Sequence, residues 1–199
     1  MDGRRSAAAR RSRLAMPRAW FAVGLLALSV GAQAQTPPQQ RAAIDRMLDG
    51  LKAAPDERTA GDLEARLQQA WLRAGSPVVT LLMSRGLRSL NAGQTEEAEQ
   101  SFSDAIVLQP GMSEAWYQRA LARYRAGNMT GTIQDLAQTV QLEPRDFAAF
   151  RTLSEIAGAR GDWKGAYAAW KRVMDLDPKT AGGEERLRML QRKALGEDT

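Results

Sequence analysis

Prolines recur in this chain at a constant interval of 34 residues: Pro110, Pro144 and Pro178. A leucine lies two residues before each proline, and the same interval separates Gly93, Gly127 and Gly161. Proline ends a helix because it lacks an N–H group and fixes φ, and glycine closes a helix because it readily adopts positive φ. A period of 34 residues with such breaks predicts a repeated helix–turn–helix unit.

Aligned on these residues, the chain contains three blocks: 79–112, 113–146 and 147–180. Two block positions hold small residues, as expected where antiparallel helices approach closely. Position 8 is Gly86, Ala120 and Ser154, and position 20 is Ala98, Thr132 and Ala166. Two other positions hold mainly large apolar residues that would fill the space between helices. Position 4 is Leu82, Trp116 and Phe150, and position 24 is Phe102, Leu136 and Trp170.

The pattern is fullest in "EAWYQRALARYRAGN" (114–128) and "GDWKGAYAAWKRVMDLDP" (161–178). On these motifs the chain resembles the tetratricopeptide repeat (TPR) family over residues 79–180, about half its length. The resemblance implies an all-α fold, a right-handed superhelix of antiparallel helix pairs (a TPR α-solenoid) with flanking capping helices. Arg85 and Arg119 depart from the family pattern at position 7, which is usually apolar.

Residues 35–78 are predicted to form a leader and an N-terminal helical pair. Apolar residues at helical spacing define one face in each helix: Ile44, Leu48 and Leu51, then Leu63, Leu67 and Trp71. Pro77 lies 33 residues before Pro110, so we interpret the pair as a degenerate repeat or an N-terminal cap. Whether residues 40–75 form a true fourth repeat stays open at this point.

Residues 181–199 are predicted to form a C-terminal capping helix. Leu187, Leu190 and Ala194 share one face, and basic residues occupy the rest. A repeat stack needs such a helix, because its last unit would otherwise expose an apolar face.

Residues 1–34 have the order of a bacterial secretory signal peptide. An arginine-rich stretch precedes the apolar run "AWFAVGLLALSVG" (19–31), and "AQA" (32–34) suits a cleavage site before Gln35. The apolar run is shorter than the roughly 20 residues needed to span a bilayer. We therefore expect export to the periplasm or secretion, with an uncleaved inner-membrane anchor as the alternative. Met16 is a second candidate for the translation start.

Composition excludes several functions. The chain has neither cysteine nor histidine, which removes disulfides, the commonest zinc ligands and histidine-assisted catalysis. Six of the 28 basic residues and one of the 23 acidic residues lie within residues 1–34, which leaves 22 of each for the remainder. The net charge of +5 therefore belongs to the N-terminus and does not indicate nucleic-acid binding.

The resemblance implies a binding groove, because positions 2, 5, 6, 9, 12 and 13 of a family repeat tend to line the concave face. The candidate groove residues are Met83, Leu87, Leu90, Tyr117, Gln118, Leu121, Tyr124, Arg125, Arg151 and Glu155. The apolar members are suited to the side chains of a peptide, and Arg125 and Arg151 to an acidic residue or a C-terminal carboxylate. Packing between helices is the alternative for Tyr117 and Tyr124, and a solvated surface is the alternative for both arginines.

Chaperone-binding members of the family hold a dicarboxylate clamp of lysine, asparagine and arginine on these helices. The corresponding residues here are Met83, Leu87, Gln118, Ala148 and Thr152, so the resemblance itself argues against that ligand.

The sequence therefore predicts a non-catalytic protein–protein interaction scaffold in the bacterial periplasm. A membrane-tethered assembly factor is the alternative, and a small-ligand binder or an enzyme is a third reading. The expected partner is a peptide segment or helix of another protein. We expect no cofactor, metal or nucleic acid, and membrane contact only if the signal peptide stays uncleaved. A homo-oligomer would pair through residues 181–199.

Overall fold

The computed structural model describes residues 38–197. The signal peptide, the cleavage site and the two candidate start residues lie outside this range. Within it the chain forms nine α-helices and no strand, which confirms the all-α prediction for the described residues. The helices are α1 (Pro38–Lys52), α2 (Glu57–Leu72), α3 (Pro77–Asn91), α4 (Thr95–Leu108), α5 (Ser113–Arg125), α6 (Met129–Leu142), α7 (Phe147–Ala159), α8 (Trp163–Leu176) and α9 (Gly183–Leu195).

Helices α3 to α8 form three pairs, each closed by the same turn. A glycine with φ between 75° and 79° ends the first helix of each pair: Gly93, Gly127 and Gly161. In the first pair, the amide of Gln94 donates to the carbonyl of Ser89 at 2.9 Å, and that of Gly93 donates to Leu90 at 3.2 Å. These two bonds satisfy carbonyls that the helix end leaves free, as in a Schellman motif. The predicted turn glycines therefore have the conformation that their role requires.

Close packing within each pair depends on the small residue at block position 8. At Gly86 of α3, a Cβ atom would lie 2.5 Å from the ring of Phe102 in α4. Phe102 is fully buried there, so the absent side chain is what admits the ring. In the third pair, Ser154 is also fully buried, and its hydroxyl donates to the carbonyl of Ala166 at 2.8 Å.

The pairs stack because α4 packs on α5 and α6 packs on α7. A polar bridge joins the first two pairs. Arg119 and Arg123 of α5 both bind the buried carboxylate of Asp135, with N–O distances of 2.8 to 2.9 Å. In α4, Arg119 also donates to the hydroxyl of Ser103 at 3.1 Å, and Arg123 donates to the carboxylate of Glu99 at 2.7 Å. Arg119 therefore fills its usually apolar position with a satisfied polar contact.

Helix α9 covers the end of the stack. Leu190 is buried against Trp170 and Val173 of α8. The indole N–H of Trp170 donates to the carbonyl of Gly183 at 2.9 Å, and the guanidinium of Arg186 lies 4.8 Å from the same ring. The last repeat thus keeps its apolar face out of water.

The N-terminal pair is placed differently from a stacked repeat. Helix α2 packs against α1 and α5, and α1 lies against α8, so the pair folds back along the stack instead of adding a unit before α3. The α7 surface presents Phe147 and Ala148 to the apolar face of α2.

Replacing Gly86 with alanine tests the close packing of the first pair. We expect Gly86→Ala to lower the free energy of unfolding by about 1–3 kcal/mol, because the new methyl overlaps the Phe102 ring. The matched control is Gly61→Ala in α2, where nothing lies within 4 Å of the added Cβ. That substitution should stabilise by about 0.5–1 kcal/mol through helix propensity. Urea unfolding of both variants measures the difference, and equal effects would contradict the packing argument.

Candidate binding groove

The first helices of the three pairs, α3, α5 and α7, form the surface on which the groove residues were predicted. The structure divides these residues into a part that is buried or paired and a part that is open. On α5 and α7 the buried part lies toward the N-terminal ends, where the hairpin of α1 and α2 folds over them, and on α3 it consists of Met83 and Leu90 in the core of the first two pairs. The open part lies toward the C-terminal ends of α5 and α7.

Two aromatic residues anchor the α1–α2 hairpin on α7. The ring centroids of Trp71 and Phe147 are 5.7 Å apart, and both side chains are buried. Leu48 and Leu67 complete this cluster from the hairpin, and Tyr117 of α5 packs against it. The hairpin therefore shares a true apolar core with the repeats.

Three arginines add ion pairs at the edge of that core. Arg151 of α7 holds Glu64 of α2 through two bonds of 3.0 and 3.2 Å. Arg145, in the α6–α7 connection, binds the carboxylates of Asp45 and Asp49 in α1. Arg41 of α1 completes the set by reaching the buried Glu143 at 3.1 Å. These contacts give the hairpin a defined position along the stack as well as an apolar anchor.

The residues before the three repeat prolines form a further row beneath the hairpin: Gln109, Glu143 and Asp177. The side-chain carbonyl of Gln109 accepts from the amide of Ser76 at 3.1 Å, in the link between α2 and α3. Glu143 receives Arg41, and Asp177 lies 4.0 Å from Arg151, which binds the hairpin. The sequence analysis missed this row. The signal for it was the polar side chain at the same place in every block.

Five of the predicted groove residues are buried or paired in the structure. Met83 and Leu90 are 1% and 3% exposed, because α3 and α5 enclose them within the apolar core of the first two pairs. Tyr117 is partly buried against the hairpin core, Gln118 is 9% exposed, and Arg151 is held by Glu64. None of these side chains presents its binding group to a ligand in this arrangement.

The other five predicted residues remain accessible. Leu87 and Leu121 are partly buried on successive first helices, and Tyr124 is 40% exposed. Arg125 and Glu155 are exposed. One N–H of Arg125 donates to the carbonyl of Leu90 at 3.0 Å, which fixes the guanidinium while leaving further donors free. This open half of the groove combines an apolar floor with one cation and one anion.

Buried carboxyl groups are concentrated beneath the hairpin. Burial raises the pKa of Glu114 to about 8, with a further contribution from the charge of Asp146. Burial likewise raises the pKa of Asp146 to about 7, against the amide hydrogen bond from Ala149. Burial, and after it the neighbouring Glu64, raises the pKa of Asp177 to about 7. These three carboxyl groups therefore bind protons more tightly in the folded chain than in the unfolded chain between about pH 4 and pH 8.

The described residues contain no group of three or more acidic side chains that could hold a metal ion. A cleft of about 540 Å³ lies between the α1–α2 turn and the start of α9. Its acidic members, Asp56, Glu57, Glu184 and Glu185, are all exposed. No helix of residues 38–197 is both long and apolar enough to cross a membrane.

Two curated proteins are similar to this chain in sequence. A TPR repeat-containing protein of Rhizobium etli is 27% identical over 166 residues, which are 83% of this chain and 80% of the relative. The Hsp70-Hsp90 organizing protein of Triticum aestivum is 30% identical over 99 residues, half of this chain and 17% of that protein. No family model matches the chain.

A solved structure shows the same fold. The first TPR of Spaghetti (RPAP3), bound to the HSP90 peptide SRMEEVD, superposes with a TM-score of 0.56 at 20% identity. The match covers 61% of this chain and 98% of that one. Stacked antiparallel helix pairs with a groove along their first helices define an α-solenoid. Within that class, the chain is similar to tetratricopeptide repeat proteins in its repeat period, in the relative from Rhizobium etli and in its fold.

Removing the Phe147 ring tests the anchoring of the hairpin. Phe147→Ala deletes the partner of Trp71, so we expect a loss of about 3–5 kcal/mol in stability. Hydrogen exchange should rise about tenfold or more in α1 and α2, relative to α5 and α6. Phe150→Ala, three residues further along α7, is the control because Phe150 packs toward α8 and α9. An equal rise in α1 and α2 in both variants would contradict the anchoring role.

The pKa of Glu114 predicts how stability changes with pH. Because its folded pKa is raised, its contribution is retained at low pH and lost as pH rises toward about 8. Glu114→Gln keeps an acceptor for the amide of Gln118, now 2.7 Å away. We expect the variant to melt near the original temperature at pH 5 and above it at pH 8. At pH 8 the free energies of unfolding of the variant and the original chain should differ by at most a few kcal/mol, since a shift of one pKa unit corresponds to about 1.4 kcal/mol.

The exposed Glu97 supplies the control for this pH series. Glu97→Gln should shift the melting temperature by a similar amount at pH 5 and pH 8. If Glu114→Gln showed the same flat difference, the carboxyl group of Glu114 would not be the one that titrates.

Proposed function

We propose that this protein is an exported, non-catalytic scaffold that binds a peptide segment or helix of another protein in the open half of its groove. The observation that carries the proposal is the accessible apolar surface of Leu121 and Tyr124 on α5. The surface lies in a groove whose other half this chain fills with its own α1–α2 hairpin.

The open half favours an apolar side chain flanked by charge. Leu87 and Leu121 offer partly buried apolar contacts, and Tyr124 adds an amphipathic ring. The free N–H groups of Arg125 suit a carboxylate of the partner, and Glu155 suits a basic residue. A short extended segment or one helical turn with such a pattern would satisfy all of these groups.

The partner is expected to differ from the ligand of the structural neighbour. That neighbour binds an HSP90 peptide ending in a carboxylate. In this chain the corresponding clamp positions hold no cation, and Gln118, Ala148 and Thr152 are 9%, 5% and 8% exposed. Both the residue types and their burial therefore argue for a ligand of another kind.

Export to the periplasm is part of this proposal and rests on the signal-like residues 1–34. An uncleaved segment would instead make the protein a membrane-tethered assembly factor. Cell fractionation after osmotic shock distinguishes these two forms, because only a released protein appears in the shock fluid. The enzyme reading would require turnover or a ligand-induced rise in melting temperature from the purified protein.

Site-specific photo-crosslinking in cells tests the groove. A crosslinkable amino acid replaces Tyr124, and the adducts are identified by mass spectrometry. We expect one discrete partner, captured through a segment that carries an apolar residue next to an acidic one. Gln134, exposed on α6 and outside the groove, is the control position.

The control decides how an adduct is interpreted. The same partner from both positions would indicate contact that does not depend on the groove. Self-adducts alone would overturn the scaffold proposal in favour of homo-oligomerisation.

A further inference from the structure

The outer face of α3 is the start of the repeat stack, and it carries an unpartnered apolar stripe. Val78 and Leu81 are 59% and 65% exposed, which is unusual for large apolar side chains inside a helix of a packed stack. Arg85 and Arg88 continue the same stripe at helical spacing and are also exposed. This surface, which we call the entry face, consists of Val78, Leu81, Arg85 and Arg88.

In the two later repeats, the residues at equivalent positions of α5 and α7 show what covers this face. The residues equivalent to Leu81 are Ala115 and Ala149, and both are fully buried. The residues equivalent to Val78 are Met112 and Asp146, at 3% and 1% exposure, and those equivalent to Arg88 are Ala122 and Ile156, at 0% and 3%. In these repeats the second helix of the preceding pair, α4 or α6, covers the face. The entry face is therefore a surface built for a helix, and that helix is missing from the described residues.

The chain's own hairpin does not fill the position. Helices α1 and α2 are committed to α5, α7 and α8 through the Trp71–Phe147 contact and the ion pairs of Arg145 and Arg151. The entry face also lies apart from the concave groove, because its residues occupy other positions of the repeat. A ligand there would not depend on the proposed groove function.

The charges on the entry face select the kind of partner. Within residues 38–197, the side chains of Arg85 and Arg88 make no hydrogen bond or ion pair. In the next repeat, the equivalent Arg119 donates to Ser103 of the covering helix, and Arg123 binds its Glu99. Because Arg85 and Arg88 have no acidic partner among the described residues, a covering helix for α3 would supply carboxylates opposite them.

A second copy of this chain fits poorly. Two entry faces would bring four arginines together, and like charges at such distances repel. Helix α9, the terminal helix at the other end, carries four basic residues (Arg186, Arg188, Arg192 and Lys193) against two acidic ones (Glu184 and Glu185), so it would add net positive charge.

From this geometry we propose that the entry face binds an acidic amphipathic helix of another protein, which stacks on α3 as α4 stacks on α5. Apolar residues of that helix cover Val78 and Leu81, and its carboxylates pair with Arg85 and Arg88. The partner thereby extends the repeat stack by one helix.

The chain itself supplies a probe of the required chemistry. Residues 94–109, "QTEEAEQSFSDAIVLQ", contain the helix that covers the equivalent face of α5. The peptide carries Phe102→Gln, which leaves one apolar face, and a covalent staple between positions 100 and 104 keeps it helical. Those two side chains are exposed and hydrogen-bonded to each other at 2.8 Å, so the staple lies away from the binding face.

Binding is followed by amide NMR shifts of the protein, purified in the form that accumulates in the cell. We expect saturable shifts confined to α3 and the end of α4. Leu81→Asp should abolish them, and Arg85→Glu should weaken binding about tenfold. A peptide with Ser103→Lys should bind the Arg85→Glu variant more tightly than the original chain, because Ser103 contacts Arg119, the equivalent of Arg85. Arg160→Glu, an exposed charge reversal at the end of α7, should change nothing.

Four results would overturn the proposal. These are no shifts at millimolar peptide, shifts along α5 and α7 instead of α3, and shifts in α1 and α2 that show the hairpin moving onto α3. The fourth is concentration-dependent self-association that Leu81→Asp removes, since it would make a second copy the occupant. Crosslinking from Tyr124 is unaffected by Leu81→Asp, so failure here and failure of the groove proposal are distinguishable.

Discussion

The close approach of two antiparallel helices within each pair is the constraint on which the rest of the structure depends. It requires a small residue where the helices cross, and Gly86 meets this requirement by admitting the ring of Phe102. Once the pairs have this geometry, each presents one face to the pair before it and another to the pair after it. A linear stack follows, with a continuous concave surface and two ends that need separate solutions.

The repeat period predicted the three pairs, their turns and the C-terminal cap, because proline, glycine and small residues act locally on the backbone. It could not predict the site of the N-terminal hairpin. The spacing of Ile44, Leu48 and Leu51 shows which face is buried but not which surface covers it. The position of the hairpin is decided by contacts between residues far apart in sequence, such as Glu64 and Arg151.

The groove was predicted only in part, because the sequence could not show that the α1–α2 hairpin lies over half of it. Family positions identify the concave side of each first helix, and Leu121 and Tyr124 are accessible there. They do not report whether another element of the chain lies on that side. The hairpin buries or pairs Tyr117 and Arg151 and brings several carboxyl groups into a dry environment. Burial is thus the common cause of the smaller open groove and of the raised pKa values of Glu114 and Asp177.

The two ends of the repeat stack differ in whether another helix of the chain covers them. At the C-terminal end, α9 covers the apolar face of α8, with Leu190 fully buried. At the N-terminal end, the α1–α2 hairpin fills part of the groove, and Leu81 stays in water. Among the described residues, neither the apolar area of this leucine nor the charge of the neighbouring Arg85 and Arg88 is compensated. A helix with complementary acidic and apolar residues lying on this surface would compensate both.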